Sequence, residues 1–104
     1  MPRAQITALG SYLPDYVLTN AELEKMVNTT DSWIRERTGV SERRILQGER
    51  GASYMGSRAV QQLLEKRGIG ADEIDLLICS TVTGDFIFPA TANIITGEVG
   101  AKRA

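Results

Sequence analysis

The 104-residue chain contains no histidine and only one cysteine, Cys79. A Ser–His or Cys–His catalytic pair therefore cannot form within it, and nucleophilic catalysis loses its commonest general base. The same two scarcities argue against a zinc site of nitrogen and sulfur ligands. An internal disulfide framework is excluded outright, and the lone thiol fits a reducing compartment. Long apolar runs are missing too. The segment from Ile74 to Cys79 is broken by Asp75 and falls far short of the ~20 residues that a membrane span requires. Nor does any apolar stretch follow Met1-Pro2-Arg3, so no secretory signal is read there.

Charge of one sign is also lacking. Twelve basic residues face thirteen acidic ones, for a net charge of -1, which gives no footprint for nucleic acid or an anionic membrane. No glycine-rich phosphate loop of the GxGxxG or P-loop type occurs, so any bound phosphate has to be held by side chains. These absences point to a cytoplasmic protein with no metal, no nucleic-acid partner and no membrane partner.

What is present reads as an α/β pattern. Ala4–Leu9 carries a short strand signal, and Ser11 to Asp15 reads as a turn around Pro14. Thr19 and Glu22 stand at capping-box spacing before a short helix bearing Leu23, Met26 and Val27 on one face. A second helix is expected with Asp31 as its N-cap, running Ser32 to Thr38 and closed by Gly39. Val40 to Leu46 reads as a short strand or an extended arm. The strongest helical signal is Ser53–Arg67, with Met55, Ala59, Val60, Leu63 and Leu64 in one stripe and Gly68 behind it. Asp75–Thr83 is a near-continuous apolar run of the kind found in strands buried on both faces of a parallel sheet. Gly84 to Pro89 reads as a loop, and Thr91–Val99 as a helix ended by Gly100. Two strands do not make a stable parallel sheet. The run from Leu76 to Val82 calls for neighbours from other segments or other copies.

Several words in this order resemble the β-ketoacyl-acyl carrier protein synthase III family. They are Gly10-Ser11-Tyr12-Leu13-Pro14, Thr19 through Val27, Asp31-Ser32-Trp33-Ile34 and Arg37-Thr38-Gly39-Val40. Glu42-Arg43-Arg44-Ile45, Met55-Gly56 and Phe88-Pro89 complete the set. The resemblance implies the amino-terminal part of the first half of a thiolase-like five-layer α/β/α/β/α fold, the remainder lying outside this chain. It also implies an enzyme that condenses a short acyl-CoA primer, acetyl-CoA foremost, with malonyl-acyl carrier protein, working as a homodimer without a cofactor. The family's catalytic cysteine, histidine and asparagine would all follow Ala104, so no catalytic residue is expected here. Related starter-unit synthases of polyketide, quinolone or hydrocarbon pathways form one alternative. A small non-catalytic α/β binding module is another.

The residues themselves leave two readings each. Trp33 is either a partly buried core aromatic or a flat platform for a ring. The resemblance sets it against the CoA adenine. Arg37, one turn further on the same face, is either a surface ion pair with Glu36 or Glu42 or a bidentate phosphate donor; the resemblance favours the phosphates. Thr29 is a turn or cap threonine, or, by the resemblance, a hydrogen-bond partner of the adenine. Phe88 and Val82 read as an anchored loop aromatic and a core residue. The resemblance makes them part of the acyl pocket, with Phe88 crossing the dimer interface. Cys79 lies inside the apolar run rather than at a helix amino terminus, as a buried small hydrophobe would. Arg43 and Arg44 read as a solvated pair or as contacts to an acidic partner.

Overall fold

The structure, a computed structural model, describes residues 1–104. It separates into two compact units, Leu13–Glu49 and Met1–Tyr12 together with Arg50–Ala104.

The first unit is built on a two-stranded antiparallel sheet. Strand β1 (Tyr16–Thr19) pairs with β2 (Glu42–Ile45), Tyr16 opposite Ile45 and Thr19 opposite Glu42. Between them run helix α1 (Asn20–Leu23) and helix α2 (Asp31–Thr38). Thr19 caps α1 as its spacing predicts, accepting from the Glu22 amide at 3.2 Å. The Glu22 carboxylate does not complete the box; it accepts from the Tyr16 hydroxyl. The helix is shorter than its sequence stripe, and Met26 and Val27 lie exposed beyond it. Helix α2 begins one residue earlier than expected. Thr30 is its N-cap, accepting from the Trp33 amide at 3.2 Å, which frees the Asp31 carboxylate for other partners. Gly39 closes it in the left-handed region, φ 72°, a conformation that costs glycine little.

Those other partners organise the unit. Asn20 is 1% exposed. Its side-chain amide donates to Asp31 Oδ1 at 2.7 Å and to the Val40 carbonyl at 2.8 Å. Its Oδ1 accepts from Arg43 Nη2 at 2.8 Å, while Arg43 Nη1 reaches the Leu18 carbonyl at 3.2 Å. The Asn20 backbone amide donates to the Ser41 carbonyl. Arg44 is likewise engaged, with Nη1 donating to the Pro14 carbonyl at 3.0 Å. Arg43 is half-buried while Arg44 stays exposed, so the solvated reading holds for Arg44 and not for Arg43, although both guanidiniums donate to backbone carbonyls.

In the second unit, helix α3 (Ala52–Arg67) packs on helix α4 (Thr91–Val99), with a 3₁₀ turn at Ala71–Glu73 between them. Leu64, Ile95 and Ala101 are its buried apolar residues. Gly56 lets the helices approach: a Cβ there would come within 3.3 Å of Ile95 Cγ1. Ser57 Oγ donates to the Glu98 carboxylate across the same contact. Gly68 and Gly100 end the two helices with φ of 70° and 79°.

The two strands read at Ala4–Leu9 and Asp75–Thr83 are not strands in the structure, and no parallel sheet exists. A strand is defined by a neighbour that takes its N–H and C=O groups, and neither segment has one. Leu76 and Ile78 are therefore 74% and 83% exposed, although their sequence is that of a buried strand.

Asn20→Ala is expected to destabilise the first unit by ~2–3 kcal/mol, since Asp31, Arg43 and the Val40 carbonyl each lose a buried partner. A thermal melt read at the Trp33 fluorescence checks this, and an unchanged midpoint counts against the network. Acid should act on both units. Asp31 is held below the ordinary carboxylate value of 3.8 by Arg35 and then Asn20, and Asp85 by the Ser53 hydroxyl and amide. Depressed folded values mean stability that is present above pH 3.8 and is lost as pH falls through the folded values. Asp85→Asn should flatten that acid limb in a pH series of melts.

Candidate functional site

The first unit carries an open pocket of about 200 Å³ lined by Asn28, Thr29, Thr30 and Trp33. Its floor follows from the start of α2. Thr30, extended at φ -133°, caps the helix, and the Glu24 carboxylate accepts from the Asp31 amide. The first turn is thereby pinned from two directions, and Trp33, its third residue, is held within it by its own amide. Ile34, next to it, points inward and is 7% exposed. Trp33 faces outward with 55% of its surface open, a large indole that the fold does not use as core.

Arg37 lies over that indole, with its guanidinium carbon 5.8 Å from the ring centroid. The i,i+4 spacing produces this contact, a cation–π arrangement contributing ~0.5–1 kcal/mol at an exposed site. Arg37 has no carboxylate partner. The ion pairs of the structure are Arg35–Asp31 and Arg103–Asp75, so the alternative pairing with Glu36 or Glu42 does not form. Thr29 adds an acceptor and donor beside the ring. Its Oγ1 is buried and has no hydrogen-bond partner, so it is not the cap, a role that belongs to Thr30. A buried hydroxyl left unsatisfied is uncommon and calls for an explanation.

Trp33, Arg37 and Thr29 are thus brought onto one surface of one unit. Phe88 and Val82 belong to the other unit, in irregular chain, and are 85% and 102% exposed. Cys79 is half-buried in the unpaired segment before them. No group of three or more histidine, cysteine, aspartate or glutamate side chains comes together. No helix is long and apolar enough to cross a membrane.

Sequence reasoning missed Asn20 and Asp85. Asn20 carried a usable signal, a short amide directly after a cap threonine. Asp85 accepts from Ser53 N and Oγ across 32 positions, a separation that leaves no local trace. What the Trp33 surface offers chemically is a flat π-face, an unpaired cation and a hydroxyl in need of a partner. Together these suit a ligand that combines an aromatic ring with an anion.

Comparison with known proteins agrees in sequence and in fold. The chain is 51% identical over 102 residues to a β-ketoacyl-[acyl-carrier-protein] synthase III of Chlorobium phaeovibrioides, covering 97% of this chain and 31% of that protein. The crystal structure of 3-oxoacyl-[acyl-carrier-protein] synthase III from Aquifex aeolicus superposes with TM-score 0.83 at 42% identity, covering 91% of this chain and 30% of that one. The priming β-ketosynthase of the R1128 polyketide pathway matches with TM-score 0.83 at 35% identity, covering 93% and 29%. The chain therefore spans less than a third of the length of each of these relatives. No family model matches it.

Replacing the Thr29 hydroxyl by a methyl group tests its lack of a partner. Thr29→Val is expected to leave the melting temperature unchanged or to raise it, because no hydrogen bond is lost and an unpaired polar atom is removed. A fall of several degrees would show a partner on Oγ1.

Proposed function

We infer function from kinship: the chain belongs to the β-ketoacyl-[acyl-carrier-protein] synthase III family, of whose members it spans about 31%, and its α/β fold is the matching portion of theirs. The protein carrying this stretch condenses a short acyl-CoA primer, acetyl-CoA foremost, with malonyl-acyl carrier protein and thereby starts a fatty-acid chain. It does so in the cytoplasm as a homodimer, with the CoA thioester as substrate and no further cofactor. The nucleophilic cysteine and its histidine and asparagine partners belong to the rest of that protein. These 104 residues form the amino-terminal part of its first thiolase-like half and supply recognition rather than chemistry.

The observation carrying this reading is the half-exposed Trp33 with Arg37 over its ring and the unpartnered Thr29 hydroxyl beside it. In this reading the adenine of CoA stacks on the indole, a contact of ~1–3 kcal/mol. Thr29 Oγ1 meets a polar edge of the base, and Arg37, free of any carboxylate, turns its planar fork to the phosphates. Phe88 and Val82 border the acyl chain, Phe88 across the dimer interface. A second reading, a starter-unit synthase of polyketide assembly, is favoured by the R1128 ketosynthase match. It shares the CoA surface and changes only the product's destination.

Trp33→Ala in the enzyme that contains this stretch is expected to weaken CoA binding by ~1–3 kcal/mol, about fivefold or more in Kd. Isothermal calorimetry reads the change directly. An affinity within twofold of the parent would remove Trp33 from the site.

A further inference from the structure

The segment between Gly84 and Ala90 holds three large side chains that nothing in this chain covers. Phe86, Ile87 and Phe88 are 65%, 104% and 85% exposed, and no ladder of backbone hydrogen bonds supports them. The segment is nevertheless anchored, and the anchor is Asp85. Its Oδ1 accepts from the Ser53 backbone amide at 2.8 Å, and its Oδ2 accepts from Ser53 Oγ at 2.6 Å. Its own amide donates to Thr91 Oγ1 at 3.3 Å, where α4 begins. Ser53 and Thr91 are 4% and 6% exposed, so both partners are fixed in the packed part of the unit.

The start of α3 is shaped to receive this carboxylate. Helix amino termini need an acceptor for their unpaired amides, and the N-cap position of α3 is Gly51, which makes no side-chain cap. Gly51 is also where a Cβ would stand 2.8 Å from the Asp85 carboxylate. A local serine or aspartate at the cap would satisfy the helix without touching the loop. Here the cap arrives from 32 residues away, so capping the helix and holding the loop are one act. The two hydrogen bonds from Ser53 fix the plane of the carboxylate as well as its place, and they hold its pKa below the ordinary carboxylate value.

We propose that Asp85 is a positioning residue for primer selection: by capping α3 it sets where Phe88, three residues on, and Val82, three residues before, stand at the acyl pocket. The proposal rests on the reading of Phe88 and Val82 given above. Three residues of extended chain span at most ~10 Å, so an anchor at Asp85 leaves either side chain little room to wander.

The test uses the enzyme containing this stretch and the ratio of kcat/KM for acetyl-CoA to that for a longer acyl-CoA. Asp85→Ala is expected to shift that ratio by tenfold or more while the Kd for free CoA stays within twofold. Asp85→Asn, which keeps one acceptor, should recover part of the shift. A merely structural cap would instead lower activity toward both primers alike and leave the ratio alone, and that result overturns the proposal. If Asp85→Ala does not fold, Ser53→Ala removes one of the two hydrogen bonds and should move the ratio in the same direction; an unmoved ratio there also overturns it. Phe88→Ala separates the layers. A ratio that responds to Phe88→Ala and not to the Asp85 variants sinks the anchor alone, whereas no response to Phe88→Ala sinks the pocket reading beneath it.

Discussion

The side-chain amide of Asn20 is the interaction on which the Trp33 surface depends. It is among the most buried groups of the chain, and both its nitrogen and its oxygen are used. Through it the end of β1, the start of α2, the turn at Val40 and the strand β2 meet at one point. A buried amide with every partner present is stabilising and demands one geometry, whereas an amide with a missing partner is costly. That asymmetry is what converts a short, mostly polar stretch into a fixed scaffold. Ile34 and Pro14 are its only buried apolar side chains, so hydrophobic burial is a small part of what sets the orientation of α2.

The same economy recurs wherever the chain fixes a helix start. Glu24 accepts from the Asp31 amide, and Asp85 accepts from the Ser53 amide. In each case an acidic side chain from another segment meets the positive end of a helix, where dipole and unpaired amides favour it. The side chains of Asn20, Ser53, Ser57 and Thr91 are as well buried as those of Ile34, Leu64, Ile95 and Ala101. Polar contacts therefore decide positions here, and the apolar contacts between α3 and α4 supply cohesion.

Legibility in the sequence followed the range of the forces involved. Helices α2, α3 and α4 were readable because their apolar spacing and their terminating glycines, Gly39, Gly68 and Gly100, act within a few residues. The Trp33–Arg37 contact was readable for the same reason, as a consequence of i,i+4 spacing. Strand β1 was not, since Tyr16–Thr19 is short and is a strand only because β2 lies beside it. The opposite error occurred at Asp75–Thr83, whose apolar residues describe a buried strand although no neighbouring strand is present. Thr29 was legible as a candidate but its burial without a partner was not, and Asp85 escaped because its partner stands 32 residues away.

Recognition without chemistry is the account that joins these features. The fold spends its polar contacts on holding α2 still, leaves an indole and a guanidinium open on its surface, and leaves a buried hydroxyl beside the ring without a partner. A crystal structure of the enzyme bearing this stretch, soaked with CoA, tests that claim most directly. The account predicts the adenine stacked on Trp33 at van der Waals distance, with Thr29 Oγ1 hydrogen-bonded to the base and Arg37 toward the phosphates. Well-ordered CoA bound elsewhere, with Trp33 bare and Thr29 still unpaired, would contradict it.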